Sequence, residues 1–213
     1  MKKLIIAISS LWLFASSAMS MDLSFGVSGN MAAYAAKGIE KNFNEEGTAI
    51  DTTTEEYGAF KEEYGSILVE VGLNDVISLG VDYVPQVIET PTNVANKGEG
   101  NENTVRAEFE DLTTVYAKVN MPLGGLYMKL GYSQVDVTSI ETNANSYGND
   151  STSGATFGLG YNKEIADGLS LRAEITGSQF ENVKANNGQT NRTEIEVDDM
   201  IGARGTISLV KTF

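Results

Sequence analysis

Residues 155–180 read ATFGLGYNKEIADGLSLRAEITGSQF. Two runs of alternation flank a short polar link, KEIADG. In the first, Ala155, Phe157, Leu159 and Tyr161 share one face, and Thr156, Gly158 and Gly160 take the other. In the second, Leu169, Leu171, Ala173 and Ile175 oppose Ser170, Arg172, Glu174 and Thr176. A side-chain period of two belongs to a strand, whereas a helix repeats every 3.6 residues. Gly158-Leu159-Gly160 is therefore strand and not a phosphate-binding loop, lacking both a third glycine and a following helix.

Working outward, the pattern recurs six more times. Leu23, Phe25, Val27 and Met31 alternate with Ser24, Gly26, Ser28 and Asn30. Ile67, Val69, Val71 and Leu73 alternate with Ser66, Glu70 and Gly72, and after the turn signal Asn74-Asp75 come Ile77, Leu79, Val81 and Tyr83 against Ser78, Gly80 and Asp82. Val115, Ala117, Val119 and Met121 face away from Tyr116, Lys118 and Asn120, and Pro122-Leu123-Gly124-Gly125 closes that run quickly. Leu126, Met128, Leu130 and Tyr132 oppose Lys129, Gly131 and Ser133. In the last run, Ile201, Ala203, Ile207, Leu209 and Phe213 oppose Gly202, Arg204, Thr206 and Ser208.

The eight runs are joined by connections that go long, short, long, short, long, short, long. The long ones are polar and without period, as in KGIEKNFNEEGTAIDTTTEE and ENVKANNGQTNRTEIEVDD. A transmembrane barrel has tight turns at one end, long loops at the other, and strands of about 9–11 residues that cross a bilayer at a tilt. The expectation is an all-β, eight-stranded antiparallel up-and-down transmembrane barrel with short periplasmic turns and four long outer loops. An even strand number brings Met21 and Phe213 to the same side, where first and last strands pair. In hydrocarbon every backbone group needs a partner, and closure removes the edges.

Composition excludes several function classes. The net charge is −14 with 15 Lys and Arg, so the phosphate neutralisation that nucleic acid demands is unsupported. There is no Cys, and with no His the chain lacks the commonest general base and zinc ligand. No catalytic, cofactor-binding or metal-binding residue is assigned. Residues 1–20, MKKLIIAISSLWLFASSAMS, carry Lys2 and Lys3, a short apolar core and Ala18-Met19-Ser20, the layout of a secretory signal peptide. The fold then occupies 21–213.

With these features the chain resembles the small eight-stranded bacterial outer-membrane barrels of the OmpA transmembrane-domain and OmpX kind. The resemblance rests on the signal segment, the eight alternating runs and Phe213, and covers the mature chain from about Asp22. It implies a Gram-negative outer-membrane location, export through the periplasm, and contact with outer-membrane lipid and lipopolysaccharide. It also implies a barrel-assembly machinery that reads Ile207, Leu209 and Phe213, no cofactor, a monomer, and surface roles such as adhesion or service as a receptor. Lys211 shares the lipid-facing parity and has to snorkel to the headgroups.

The polar faces carry Glu70, Asp82, Lys118, Lys129, Arg172, Glu174 and Arg204. In a barrel this narrow, side chains fill the interior. Buried charges require partners, so these seven are expected to form a charge network that plugs the lumen. The alternative is a narrow porin whose path they line. A second alternative is a soluble, secreted, lipocalin-like barrel, which requires the apolar faces to point inward. Aromatic residues are expected at the interfaces: Tyr83, Tyr132 and Phe180 near the outer one, and Phe25, Tyr161 and Phe213 near the inner one. The acids of the long connections, among them Glu45, Glu46, Glu55, Glu99 and Glu196, read as solvated loops, with divalent-cation binding as the alternative.

Overall fold

The computed structural model describes residues 22–96, 102–141, 147–187 and 193–213. The proposed signal segment and Glu99 lie outside the described residues. In chain order the strands are β1 (Asp22–Phe43), β2 (Ile50–Gly72), β3 (Ile77–Tyr83), β4 (Ile88–Glu89), β5 (Asn93–Asn96), β6 (Glu102–Asn120), β7 (Leu126–Glu141), β8 (Asn149–Ala166), β9 (Leu169–Phe180), β10 (Val183–Asn186) and β11 (Thr193–Thr212). Neighbours pair antiparallel in the order β1-β2-β3-β6-β7-β8-β9-β11, and β1 pairs β11, so a ring of eight closes. The short β4 and β5 continue the third strand of the ring along β6, and β10 continues the seventh along β11.

Closure is tight at the seam. Ser24 to Ala35 run opposite Thr212 to Ile201 without interruption, and Phe213 N donates to Leu23 O at 2.9 Å. The alternation then sorts the faces as the sequence predicts. Phe25, Val27, Met31, Leu130, Ile175 and Ile207 are exposed on the outside, while Ser24, Glu70, Lys129, Arg172 and Thr206 are buried inside. From Ile201 to Phe213, twelve residue rises of about 3.3 Å at a tilt of about 40° span roughly 30 Å, the thickness of a hydrocarbon core. The apolar faces in this half point outward, opposite to what a lipocalin-like barrel needs.

Three connections are short as expected: 73–76, 121–125 and 167–168. The long connections differ from expectation. β1 and β2 are 22 and 23 residues long, so most of the stretch anticipated as a loop at 37–56 is paired strand. Its tip is a tight turn in which Asn44 N donates to Ala49 O at 3.0 Å and Thr48 N to Asn44 Oδ1 at 2.9 Å. These arms project beyond the apolar belt with water outside them, and their outward residues are mostly polar or charged, with Tyr57 and Ile50 exposed among them. With the membrane's pattern gone, period two was no longer visible in the letters.

Two β-bulges mark the change of environment. Glu110 pairs Asp136 and Thr113 pairs Gln134, so β6 carries one extra residue, at Asp111 with φ 55°. Ala35 pairs Ile201 and Lys37 pairs Asp198, so β11 also carries one extra, beside Asp199 with φ 51°. An added residue reverses which parity faces inward. Below the bulges Thr114, Tyr116, Lys118, Arg204 and Thr206 point in; beyond them it is Phe109, Ile195 and Val197 that face the interior. The barrel therefore has two halves of opposite polarity. One is polar inside and apolar outside; the other is apolar inside and charged outside.

Candidate functional site

The polar half of the lumen is built by residues that alternation alone turns inward. Glu70 on β2 is the hub. Arg172 approaches it end-on, Nη1 to Oε1 at 2.6 Å and Nη2 to Oε2 at 2.8 Å. Lys118 Nζ donates to Oε2 at 2.6 Å and Tyr116 Oη to Oε1 at 2.8 Å. Fork-to-carboxylate pairing of this kind is the strongest and most directional of the charge-assisted hydrogen bonds. Glu174 on β9 takes Lys129 Nζ and Tyr127 Oη, both at 3.0 Å. Asp82 on β3 takes Arg204 Nη1 at 3.3 Å and the Ser66 hydroxyl at 3.2 Å. All seven charges singled out in the sequence thus meet inside the barrel, in three carboxylate-centred groups.

Two tyrosines join the groups. Lys129 Nζ sits 4.0 Å from the centroid of Tyr116, while Arg172 and Lys118 lie 6.0 and 5.8 Å from that of Tyr127. Each hydroxyl binds one carboxylate, and each ring takes the cation belonging to the other. The rings fit because each lies over a glycine on the neighbouring strand. Tyr116 pairs Gly80 and Tyr127 pairs Gly160, and a Cβ at either glycine would collide with the ring. Sequence reading placed Tyr116 on the polar face but gave it no role; the cross-strand tyrosine–glycine pairing was the missing signal. Asn162 completes the set, its Oδ1 accepting from Arg172 Nε at 3.1 Å.

Above the Glu70 and Glu174 groups runs a belt of hydroxyls and amides, into which Asp82 and Arg204 reach through Ser66 and Thr176. Thr114, Ser133, Thr156 and Ser178 share hydrogen bonds of 2.8 Å from strand to strand. Asn30 Nδ2 donates to Ser66 Oγ at 3.1 Å, and Thr206 Oγ1 donates to Asn30 Oδ1 at 2.8 Å. Next comes a lid of rings: Tyr34 and Tyr64 share a hydroxyl hydrogen bond of 2.8 Å, and Tyr34, Phe60 and Phe109 stack with centroids 5.3 and 6.1 Å apart. Charge, hydroxyl and ring layers follow one another along the lumen.

The interface aromatics divide. Phe25, Tyr132, Tyr161 and Phe213 are exposed outward, with Phe25 and Phe213 edge to face at 6.2 Å. Phe180 is a correction: it packs inside against the apolar cluster of Tyr64, Ile88, Leu112 and Val135. Tyr83 is covered rather than exposed and donates to Asp111 Oδ1 at 2.6 Å, which pins the β6 bulge. Ile207 and Leu209 face outward in the belt. Lys211 reaches past the belt's edge, its Nζ donating to Asp167 O at 2.8 Å in the short turn.

The acids of the outer arms are partly paired with arm cations. Glu55 meets Lys37 at 2.8 Å, Glu196 meets Lys184 and Lys41 at 2.7 and 3.0 Å, and Glu108 and Glu89 meet Arg106 at 2.7 and 3.4 Å. The Lys184 and Lys41 ammonium groups hold the Glu196 carboxyl below its usual value, and Glu196 in turn raises that of Lys41. Among the described residues, no group of three or more Asp or Glu is placed to hold a metal ion.

No protein-family model matches the chain, and no curated protein matches it in sequence. Solved structures do match in shape. The outer membrane protein OprG from Pseudomonas aeruginosa superposes with a TM-score of 0.58 at 11% identity, covering 89% of this chain and 95% of that one. This is the fold of the small outer-membrane β-barrels. The outer membrane protease OmpT from Escherichia coli follows at a TM-score of 0.50 and 9% identity, over 92% of this chain and 99% of that one. At such identities the likeness is one of fold alone.

Proposed function

We propose that the chain is a non-enzymatic outer-membrane protein whose lumen is sealed to ions and whose work lies in membrane integrity and at the cell surface. The short turns face the periplasm, and the long arms stand outside with their acids available to cation-bridged lipopolysaccharide or to a basic partner. The observation that carries the sealed lumen is the closed pairing of Glu70, Asp82, Lys118, Lys129, Arg172, Glu174 and Arg204, capped by a ring layer. An ion entering this lumen has to break into the Glu70, Asp82 and Glu174 groups, which leaves buried charges uncompensated. The absence of His supports a non-enzymatic role. The outward apolar belt, with Ile207, Leu209 and Phe213 in it, supports insertion by the barrel-assembly machinery as a monomer.

Planar-bilayer recording tests the reading. The refolded protein is expected to add no current steps at up to 100 mV in 1 M KCl. Regular steps that vanish when Arg172 and Glu70 are exchanged for each other's residue would establish the narrow porin instead.

A further inference from the structure

The lumen changes character beyond the ring layer. Where β1, β2, β6, β7, β8 and β11 extend past the belt, they and the short β4 and β10 surround a cavity of about 500 Å³. Ile88, Phe109, Val137, Val183, Ile195 and Val197 are among the residues that line it. Packed cores carry few voids larger than a water molecule, so a space of this size is not a packing defect. It falls within the range of small-molecule pockets, roughly 300–1,000 Å³, and has their predominantly apolar lining.

The two bulges make this lining. Had β6 and β11 kept their register, Glu108, Glu110 and Glu196 would point inward in place of Phe109 and Val197. Extra residues at Asp111 and Asp199 turn these acids out to water, where Glu108 and Glu196 meet Arg106, Lys184 and Lys41. The floor is closed as well: the Tyr34–Tyr64 hydrogen bond and the stacked Phe60 separate the cavity from Arg204 and Asp82. On the lining's polar side stand Glu56 and Asp150, while Arg106 is already held by Glu89 and Glu108. Glu56 and Asp150 in the lining repel an anionic amphiphile, and the largely apolar remainder offers little solvation to a charged head group of either sign, which leaves a neutral apolar molecule as the fitting occupant.

We infer that the outer half of the barrel is a dead-end pocket that binds an uncharged apolar molecule of about one or two rings, or an alkyl chain of similar volume. This goes beyond the sealed-lumen reading and shares with it only the ring layer, which closes the pocket's floor.

The probe is naphthalene, whose ring current shifts nearby methyl signals. The full barrel, methyl-labelled and refolded in detergent micelles, is titrated and followed by NMR. Saturable shifts are expected at the Val137, Val183 and Ile195 methyls, against only small, linear shifts at lipid-facing Val27 and Leu209, which report probe dissolved in the micelle. Gly58 lines the cavity and a Cβ there meets no atom within 4 Å, so Gly58→Trp is the substitution chosen to occupy the pocket. This variant is expected to abolish the saturable shifts while keeping the shifted band of a folded barrel on an unheated gel. 2-Naphthoate, the same ring system with a negative charge, is expected to bind at least 10-fold more weakly. Linear shifts at every methyl of the unsubstituted protein would overturn the pocket, and that result needs no variant to fold. Saturable binding unchanged in folded Gly58→Trp would overturn its location, and equal affinity for naphthoate would overturn the neutral class.

Discussion

Glu70 takes hydrogen bonds from Arg172, Lys118 and Tyr116, so one carboxylate answers two cations where water is excluded. Removing one member of a buried charge group leaves the others uncompensated, at a cost of about 3–5 kcal/mol. Glu70→Gln keeps the side chain's shape and loses the charge. It is expected to destabilise the vesicle-embedded barrel by about that energy, read as a lower urea midpoint for loss of the folded band on unheated gels. The triple replacement Glu70→Leu, Lys118→Met, Arg172→Met removes the whole group and should recover most of the loss; a midpoint that does not move in Glu70→Gln would mean the group is not structural. That each of the seven charges points inward was legible from parity alone. Which acid meets which base was not: Glu70 and Arg172 stand 102 residues apart, and only the closed ring puts them face to face. Lys211 was legible as an anomaly, and its solution, a bond to Asp167 O, came from the turn beside it.

Strand register is decided at the bulges. Asp199 has φ 51°, a left-handed conformation that costs an ordinary residue about 1–2 kcal/mol and a β-branched one at the upper end. Asp199→Val is expected to destabilise the barrel by about that amount, and Asp199→Gly to leave the same gel-based urea transition in place. Deleting Asp199 should be more telling: it turns Ile195 and Val197 outward, and proteinase K added outside intact vesicles should then cut the outer arm of β11 while the belt survives. Glu196 supplies a pH test on the same arm. Its carboxyl is held below the usual glutamate value by Lys184 and Lys41. Because the folded value is depressed, the stabilisation is fully present above the unfolded value and is lost as pH falls through the folded one. Amide exchange in β10 is therefore expected to be slow at neutral pH and to lose protection below the usual glutamate range, whereas Glu196→Gln removes that dependence. None of this was visible in the letters, because one extra residue breaks a period-two pattern and leaves a run that reads as loop.

At the scale of the molecule, the belt and the arms divide the protein between lipid and water. Cysteine scanning suits it, since the natural chain has no Cys. Thr48→Cys, at the tip of the β1–β2 arm, should react with a membrane-impermeant maleimide on intact cells; Asp75→Cys, in a short turn, should react only after the outer membrane is opened. Equal labelling of both on intact cells would reverse or abolish the orientation. The barrel itself, its eight crossings, its outward face and its inward charges were determined by the sequence, because lipid on one side and a narrow lumen on the other impose a strict alternation that local chemistry records residue by residue. The pairing of the charges, the bulges at Asp111 and Asp199, and the apolar chamber they create were decided only by the tertiary structure. They depend on register between strands far apart in the chain, and register is a property of the closed ring that no single strand contains.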